Sequence, residues 1–264
     1  MSKKNKMVKA MVNGVWDIFQ KDQLQPGTAV FSFRSGLYET LRTKNYQPVF
    51  LDLHLDRLLR SAESIKLKPH FKREKIKQMV NQVIRDFDKP EQRIRILLVP
   101  EKVIVYARSL NLNHSIYKGV STITIPAIRK DPHIKTTNYH VCLNAYKKAI
   151  EKDCFDAILL DEAGQVFEGS RSNIFWIYND KLYTRESGVL PGITRQIVLK
   201  KSPFKLSFST LNSLDFCRLD ELFLTNSGSG IIPVVKVNNS HIGKGMPGPI
   251  TIQLMKLYES WMAH

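Results

Sequence analysis

Acidic side chains are in short supply in this chain. Its 264 residues carry 24 Asp and Glu against 40 Lys and Arg, a formal net charge of +16. Cysteine is scarcer still. Cys142, Cys154 and Cys217 are odd in number and fit no metal-ligand spacing, so no metal site is expected, and they read as reduced thiols of a cytoplasmic protein. No apolar run is long enough to span a bilayer, which argues against a membrane protein. The Lys-rich stretch Met1–Ala10 runs into Asn13-Gly14 without an apolar core segment between, so no signal peptide is expected. Internal repeats and low-complexity segments are absent from the sequence.

The excess of positive charge invites a nucleic-acid reading. Its clusters, Lys3-Lys4-Lys6-Lys9, Lys72-Arg73-Lys75-Lys77 and Lys200-Lys201, are dispersed and accompany no nucleic-acid motif. A basic soluble enzyme with a bias toward anionic small molecules is the better account, with no nucleic-acid partner.

A hydrophobic content of 43% is enough for one large core or two smaller ones. Asn13-Gly14 marks a hairpin over residues 10–19. Strands are expected at 36–42 and 48–53, a helix at 54–65, and a second helix at 72–87, where Ile76, Met79, Val80, Val83, Ile84 and Phe87 keep helical spacing. Strands at 93–99 and 103–107 pair around Pro100-Glu101. The turn-rich stretch 110–119 divides the chain into domains of 1–112 and 113–264. The second part opens with a strand at 120–125 and a helix at 139–152. Two tight strand pairs follow, 157–160 with 166–168 and 173–178 with 181–184. Strands at 205–209, 221–225 and 231–237 come later, and Pro249 opens a last amphipathic helix. The pattern is α/β or α+β.

One stretch stands out. Glu168 ends a strand in apolar surroundings, and a buried carboxylate needs a partner. Downstream, Pro191-Gly192-Ile193-Thr194 opens a helical segment, whose unpaired N–H groups and positive dipole end suit a phosphate. Glu168-Gly169-Ser170-Arg171-Ser172-Asn173-Ile174-Phe175 and Leu190-Pro191-Gly192-Ile193-Thr194-Arg195 closely resemble the signature of class IV aminotransferases. Two more segments fit the same family: Lys135-Thr136-Thr137-Asn138-Tyr139, and His54-Leu55-Asp56-Arg57-Leu58, which resembles its H-x-x-R-L motif. Four motifs in order over most of the chain make the likeness specific.

The resemblance implies a two-domain fold type IV enzyme like the D-amino-acid aminotransferases, a pyridoxal 5′-phosphate (PLP) cofactor, and a homodimer acting on a small-molecule amino-group substrate. It makes Lys135, in the second domain, the lysine that bonds the cofactor, an amine that must be neutral to react. Glu168 would face the pyridine nitrogen. Tyr139, on the same helical face as Lys135 if the chain already turns there, would face the phenolic oxygen. Arg57, Ile193, Thr194 and Ser227 would cup the phosphate. Tyr38, Arg42, Arg95, Asn226 and Gly228 would line the substrate side.

Within the family, the absence of an R-x-H pair between Arg93 and Lys135 argues against D-amino acids. The run Leu224-Thr225-Asn226-Ser227-Gly228 and the segment Tyr38-Glu39-Thr40-Leu41-Arg42 are similar to those of 4-amino-4-deoxychorismate lyases. The expectation is therefore such a lyase, forming p-aminobenzoate and pyruvate. The alternative is an aminotransferase of branched-chain or other amino acids, using the same residues.

Overall fold

The computed structural model describes residues 7–262. The chain divides into two compact units, residues 1–111 with 134–140, and 112–133 with 141–264. The first break falls in the turn-rich stretch, between Asn111 and Leu112. One expectation changes: Lys135 lies with the first unit, because residues 134–140 leave the second unit's chain and bond to a first-unit strand.

The first unit is built on β1 (Met7–Val12), β2 (Val15–Gln20), β3 (Leu37–Lys44), β4 (Gln47–Pro48), β5 (Gln92–Val99) and β6 (Lys102–Ser109). They form one antiparallel sheet in the order β2-β1-β6-β5-β3-β4. Asn13 and Gly14, at φ of 50° and 90°, make the turn that the right-handed twist of a two-residue hairpin requires. Helices α1 (Leu51–Ser64) and α2 (Arg73–Asp86) cover one face. Their Leu55, Leu58, Ile76, Met79 and Val83 bury against Leu37, Leu41, Ile94 and Ile96 of the sheet. The strand expected over 48–53 stops at Pro48. Phe50 takes a left-handed conformation (φ 54°), which turns the chain out of the sheet and into α1.

The second unit holds β7 (Val120–Pro126), α3 (His140–Glu151), β8 (Asp156–Leu160), β9 (Val166–Gly169), β10 (Asn173–Tyr178), β11 (Lys181–Thr184), α4 (Ile193–Lys201), β12 (Leu206–Phe208), β13 (Glu221–Asn226), β14 (Gly230–Val237), β15 (Ser240–His241) and α5 (Pro249–Trp261). The sheet runs β12-β11-β10-β13-β14-β7-β8-β9, with β15 on β14. Phe175 and Phe223 are partners in the β10–β13 register, fully buried, with rings stacked 5.0 Å apart. Truncating either to Ala would remove about 3–5 kcal/mol of packing. Among the described residues, no helix is long and apolar enough to cross a membrane, and no group of His, Cys, Asp and Glu is arranged to hold a metal ion.

Candidate active site

In the first unit, strand alternation sends neighbouring β3 side chains to opposite faces. Glu39 points under α1, where its carboxylate accepts from Arg57 Nε and Nη2, both at 2.7 Å, and meets His54 Nδ1 at 2.7 Å. All three side chains are buried. Burial alone would raise the Glu39 carboxyl, but the Arg57 guanidinium and the His54 hydrogen bond outweigh it and hold the group well below the usual carboxylate range. Burial pushes His54 below its ordinary value despite Glu39, so at neutral pH its Nδ1–H donates to the carboxylate.

The other face of β3 carries Tyr38. The Lys135 segment is laced to this strand: Tyr38 N donates to Lys135 O at 3.0 Å, Thr137 N to Gly36 O at 2.8 Å, and Gly36 N to Thr137 Oγ1 at 2.8 Å. Gly36 is required here, since a Cβ would stand 2.3 Å from Leu98 O. The lacing sets Lys135 Nζ 4.6 Å from the centre of the Tyr38 ring. Arg95 Cζ lies 4.8 Å from the same ring, and the Tyr139 ring meets it edge-on at 5.9 Å. Lys135, Tyr38, Tyr139 and Arg95 are thus brought together. The route differs from the expected shared helical face, because α3 begins only at His140. Arg42 is directed elsewhere: its Nη2 donates to Glu91 at 3.0 Å. Arg57 is bound to Glu39 as described.

In the second unit, the β9–β10 turn places Glu168. Its Oε1 accepts from Arg129 Nη1 at 3.0 Å. Its Oε2 accepts from Leu190 N at 3.0 Å and Asn173 Nδ2 at 3.3 Å. A cation and two further donors thus satisfy this buried carboxyl group. The turn itself is clamped by Asp156, fully buried, which accepts from the hydroxyls of Ser170 and Ser172. Downstream, α4 starts after Gly192 with no side chain capping its first amides. Thr194 is buried, and its hydroxyl lies 3.2 Å from Tyr258 Oη of α5.

The Tyr258 ring also packs on Gly230, where a Cβ would approach to 2.8 Å. This fixes the base of the turn that carries Asn226, Ser227 and Gly228. Asn226 Oδ1 accepts from Gly228 N and Ser229 N at 3.0 and 2.8 Å, so its side chain shapes the turn rather than extending from it. Ser227 is half-buried on that turn.

These donor sets are of the kind PLP calls for: in the first unit an amine held on an aromatic face, in the second a buried carboxyl group that could meet a ring nitrogen and an uncapped helix start that could meet a phosphate. One buried hydroxyl, Thr225 Oγ1, has no hydrogen-bond partner among the described residues. Thr225 is Asn173's partner in the β10–β13 register, so it adds a donor on the Asn173 side of the sheet. Sequence reasoning did not single out Arg129, Tyr258 or the Glu39–His54 pair. The only signal for Arg129 was indirect, the need of a buried acid for a partner.

The amino-transferase class IV family model matches residues 36–237. A Thermotoga maritima protein named "Probable branched-chain-amino-acid aminotransferase" is 31% identical over 88% of each chain. A Bacillus licheniformis D-alanine aminotransferase is 27% identical over 84% of this chain and 85% of its own. A "T.th." branched-chain amino acid aminotransferase, solved with N-(5′-phosphopyridoxyl)-L-glutamate, superposes with a TM-score of 0.83 at 25% identity, covering 98% of this chain and 96% of that one. The chain belongs to the class IV aminotransferases. It has their type IV fold and is a PLP-dependent enzyme. The lyase expectation finds no support in these relatives, whose names are those of aminotransferases.

Proposed function

We propose that the protein is an aminotransferase that moves the amino group of an amino acid, branched-chain L-amino acids foremost, to a 2-oxo acid. The observation that carries this reading is the set of Lys135, Arg95 and Tyr139 around the one Tyr38 ring. A reactive amine and a guanidinium that can take a carboxylate sit on one aromatic platform. The relative at 31% identity supports the branched-chain assignment, and the missing R-x-H pair speaks against D-amino acids.

When bound, PLP supplies an aldehyde to capture the substrate amine and a protonated ring to take up electrons from the α-carbon. Lys135 Nζ removes the α-proton of the substrate and returns it on the product side. Arg95 orients the substrate by its carboxylate, and Tyr38 holds Lys135 in line. Glu168, bonded by Arg129 Nη1 at 3.0 Å, would accept from the protonated ring nitrogen, and the Tyr139 hydroxyl would donate to the phenolic oxygen. Ile193 and Thr194 would hold the phosphate with first-turn amides and the Thr194 hydroxyl, joined by Ser227; Arg57, which the family resemblance also assigns to the phosphate, would do so with its Nε and Nη2 held on Glu39.

The test is direct. Borohydride reduction of the PLP-loaded protein is expected to fix label on the peptide containing Lys135, and Lys135→Ala is expected to lose both label and turnover, by at least about 10³-fold on the scale of a lost covalent catalyst. L-leucine with 2-oxoglutarate is expected to yield glutamate faster than D-alanine does. Pyruvate release from aminodeoxychorismate without transamination would overturn the assignment.

A further inference from the structure

Glu168 and the start of α4 are joined by one side chain, Asn173. Its Nδ2 donates to Glu168 Oε2 at 3.3 Å and to Leu190 O at 2.8 Å. The Leu190 peptide closes the loop, its N–H donating to Glu168 Oε2 at 3.0 Å and its carbonyl accepting from Gly192 N at 2.8 Å. Gly192 is the residue just before α4. On the far side of the same carboxamide, a Cβ added to Gly192 would stand 2.0 Å from Asn173 Oδ1. Asn173 is buried, so neither end of its amide can yield into solvent. The Gly192 backbone (φ −62°, ψ 139°) is open to any residue. Its lack of a side chain therefore answers to Asn173 and not to a turn.

We propose that Asn173 is a positioning residue that sets the spacing between Glu168 and the first turn of α4, with Gly192 shaped to receive it. This rests on the reading of Glu168 as partner of the ring nitrogen and of Ile193–Thr194 as phosphate donors. An acid held at one end and amides held at the other fit a rigid ligand only if their separation is fixed. Here it is fixed by a planar group hydrogen-bonded at one end and walled by backbone at the other. The device passes any displacement at α4 to Glu168, and the reverse.

The experiment measures equilibrium binding of PLP and of pyridoxal, which lacks the phosphate, by ultrafiltration. The dissociation constant of pyridoxal divided by that of PLP reports the phosphate contribution. Asn173→Ala, which itself is not expected to touch the phosphate, is expected to lower that ratio about tenfold while also weakening pyridoxal binding. Gly192→Ala is expected to do the same by pushing Asn173 aside. The double variant is expected to be no worse than Asn173→Ala, because the clash is gone.

Melting curves of each cofactor-free variant separate misfolding from misplacement. If Asn173→Ala does not fold, Asn173→Ser and Gly192→Ala carry the same comparison. Equal losses for both ligands would make Asn173 a support for Glu168 alone and overturn the inference, as would additive effects of the two substitutions. A ratio near one in the unaltered protein would instead overturn the phosphate reading, and the inference with it.

Discussion

Glu39 in the first unit and Glu168 in the second are both buried carboxylates facing an arginine, yet they are built differently. Glu39 is closed on itself. Both oxygens are taken by Arg57, and His54 completes the cluster from the same helix. Glu168 is held by a loop arginine, a strand amide and a backbone N–H, from three separate parts of the chain. The first arrangement fastens a helix to a sheet. The second fixes the position of the acid itself, at the meeting point of elements that also place α4. Burial and a cation are common to both, so they do not by themselves mark a functional acid. The origin of the donors differs: the side-chain donors to Glu39 come from one helix, those to Glu168 from separate parts of the chain.

The largest effect should come from breaking the closed cluster. Glu39→Ala leaves Arg57 buried without its counter-charge, and a loss of about 3–5 kcal/mol of stability is expected, read from urea unfolding. Arg129→Gln should cost less, about 1–3 kcal/mol, because Glu168 keeps two donors. Its larger expected consequence is weaker PLP binding, out of proportion to that stability loss.

Acid should sharpen the contrast further. The folded values of His54 and Glu39 both lie below their ordinary ones. As pH falls through about 6.5, the unfolded chain protonates His54 while the folded chain does not, so stability declines. It declines again below about 4.3, where the unfolded chain protonates Glu39 first. His54→Gln is expected to remove the upper decline and keep the lower one in melting curves taken from pH 8 to 4. The smallest effect belongs to Lys9 and Asp86, also 2.7 Å apart but exposed by 53% and 41%. Lys9→Ala should change stability by no more than about 1 kcal/mol. Equal distances do not mean equal energies.

Much of this architecture is legible in the sequence, because local rules govern it. Asn13-Gly14 dictates its hairpin, the spacing from Ile76 to Ile84 dictates α2, and Pro249 falls where a helix starts. The motif around Glu168 and the opening at Gly192-Ile193-Thr194 are contiguous and can be read directly. What escapes reading depends on distant partners. Phe50 adopts a left-handed conformation that its residue type does not announce, so the strand expected to run to residue 53 ends early. Arg42 goes to Glu91, 49 residues away, and Arg129 reaches Glu168 across 39. Tyr139 approaches Lys135 through Tyr38 rather than along a helix, a relation no spacing encodes.

The lacing of residues 134–140 onto β3 also constrains how this protein can be taken apart. A gene cut once between residues 111 and 112 would deliver a first piece lacking the segment that bonds to Gly36 and Tyr38. Lys135 would leave with the other piece, separated from the ring that holds its amine. Fragments made this way would each be incomplete, and complementation between them should depend on residues 134–140 finding β3 again. A protease nick within 127–133 would leave that segment attached to the second unit only through Val141. The chain has thus made Lys135 and the ring beside it hard to inherit in a single piece.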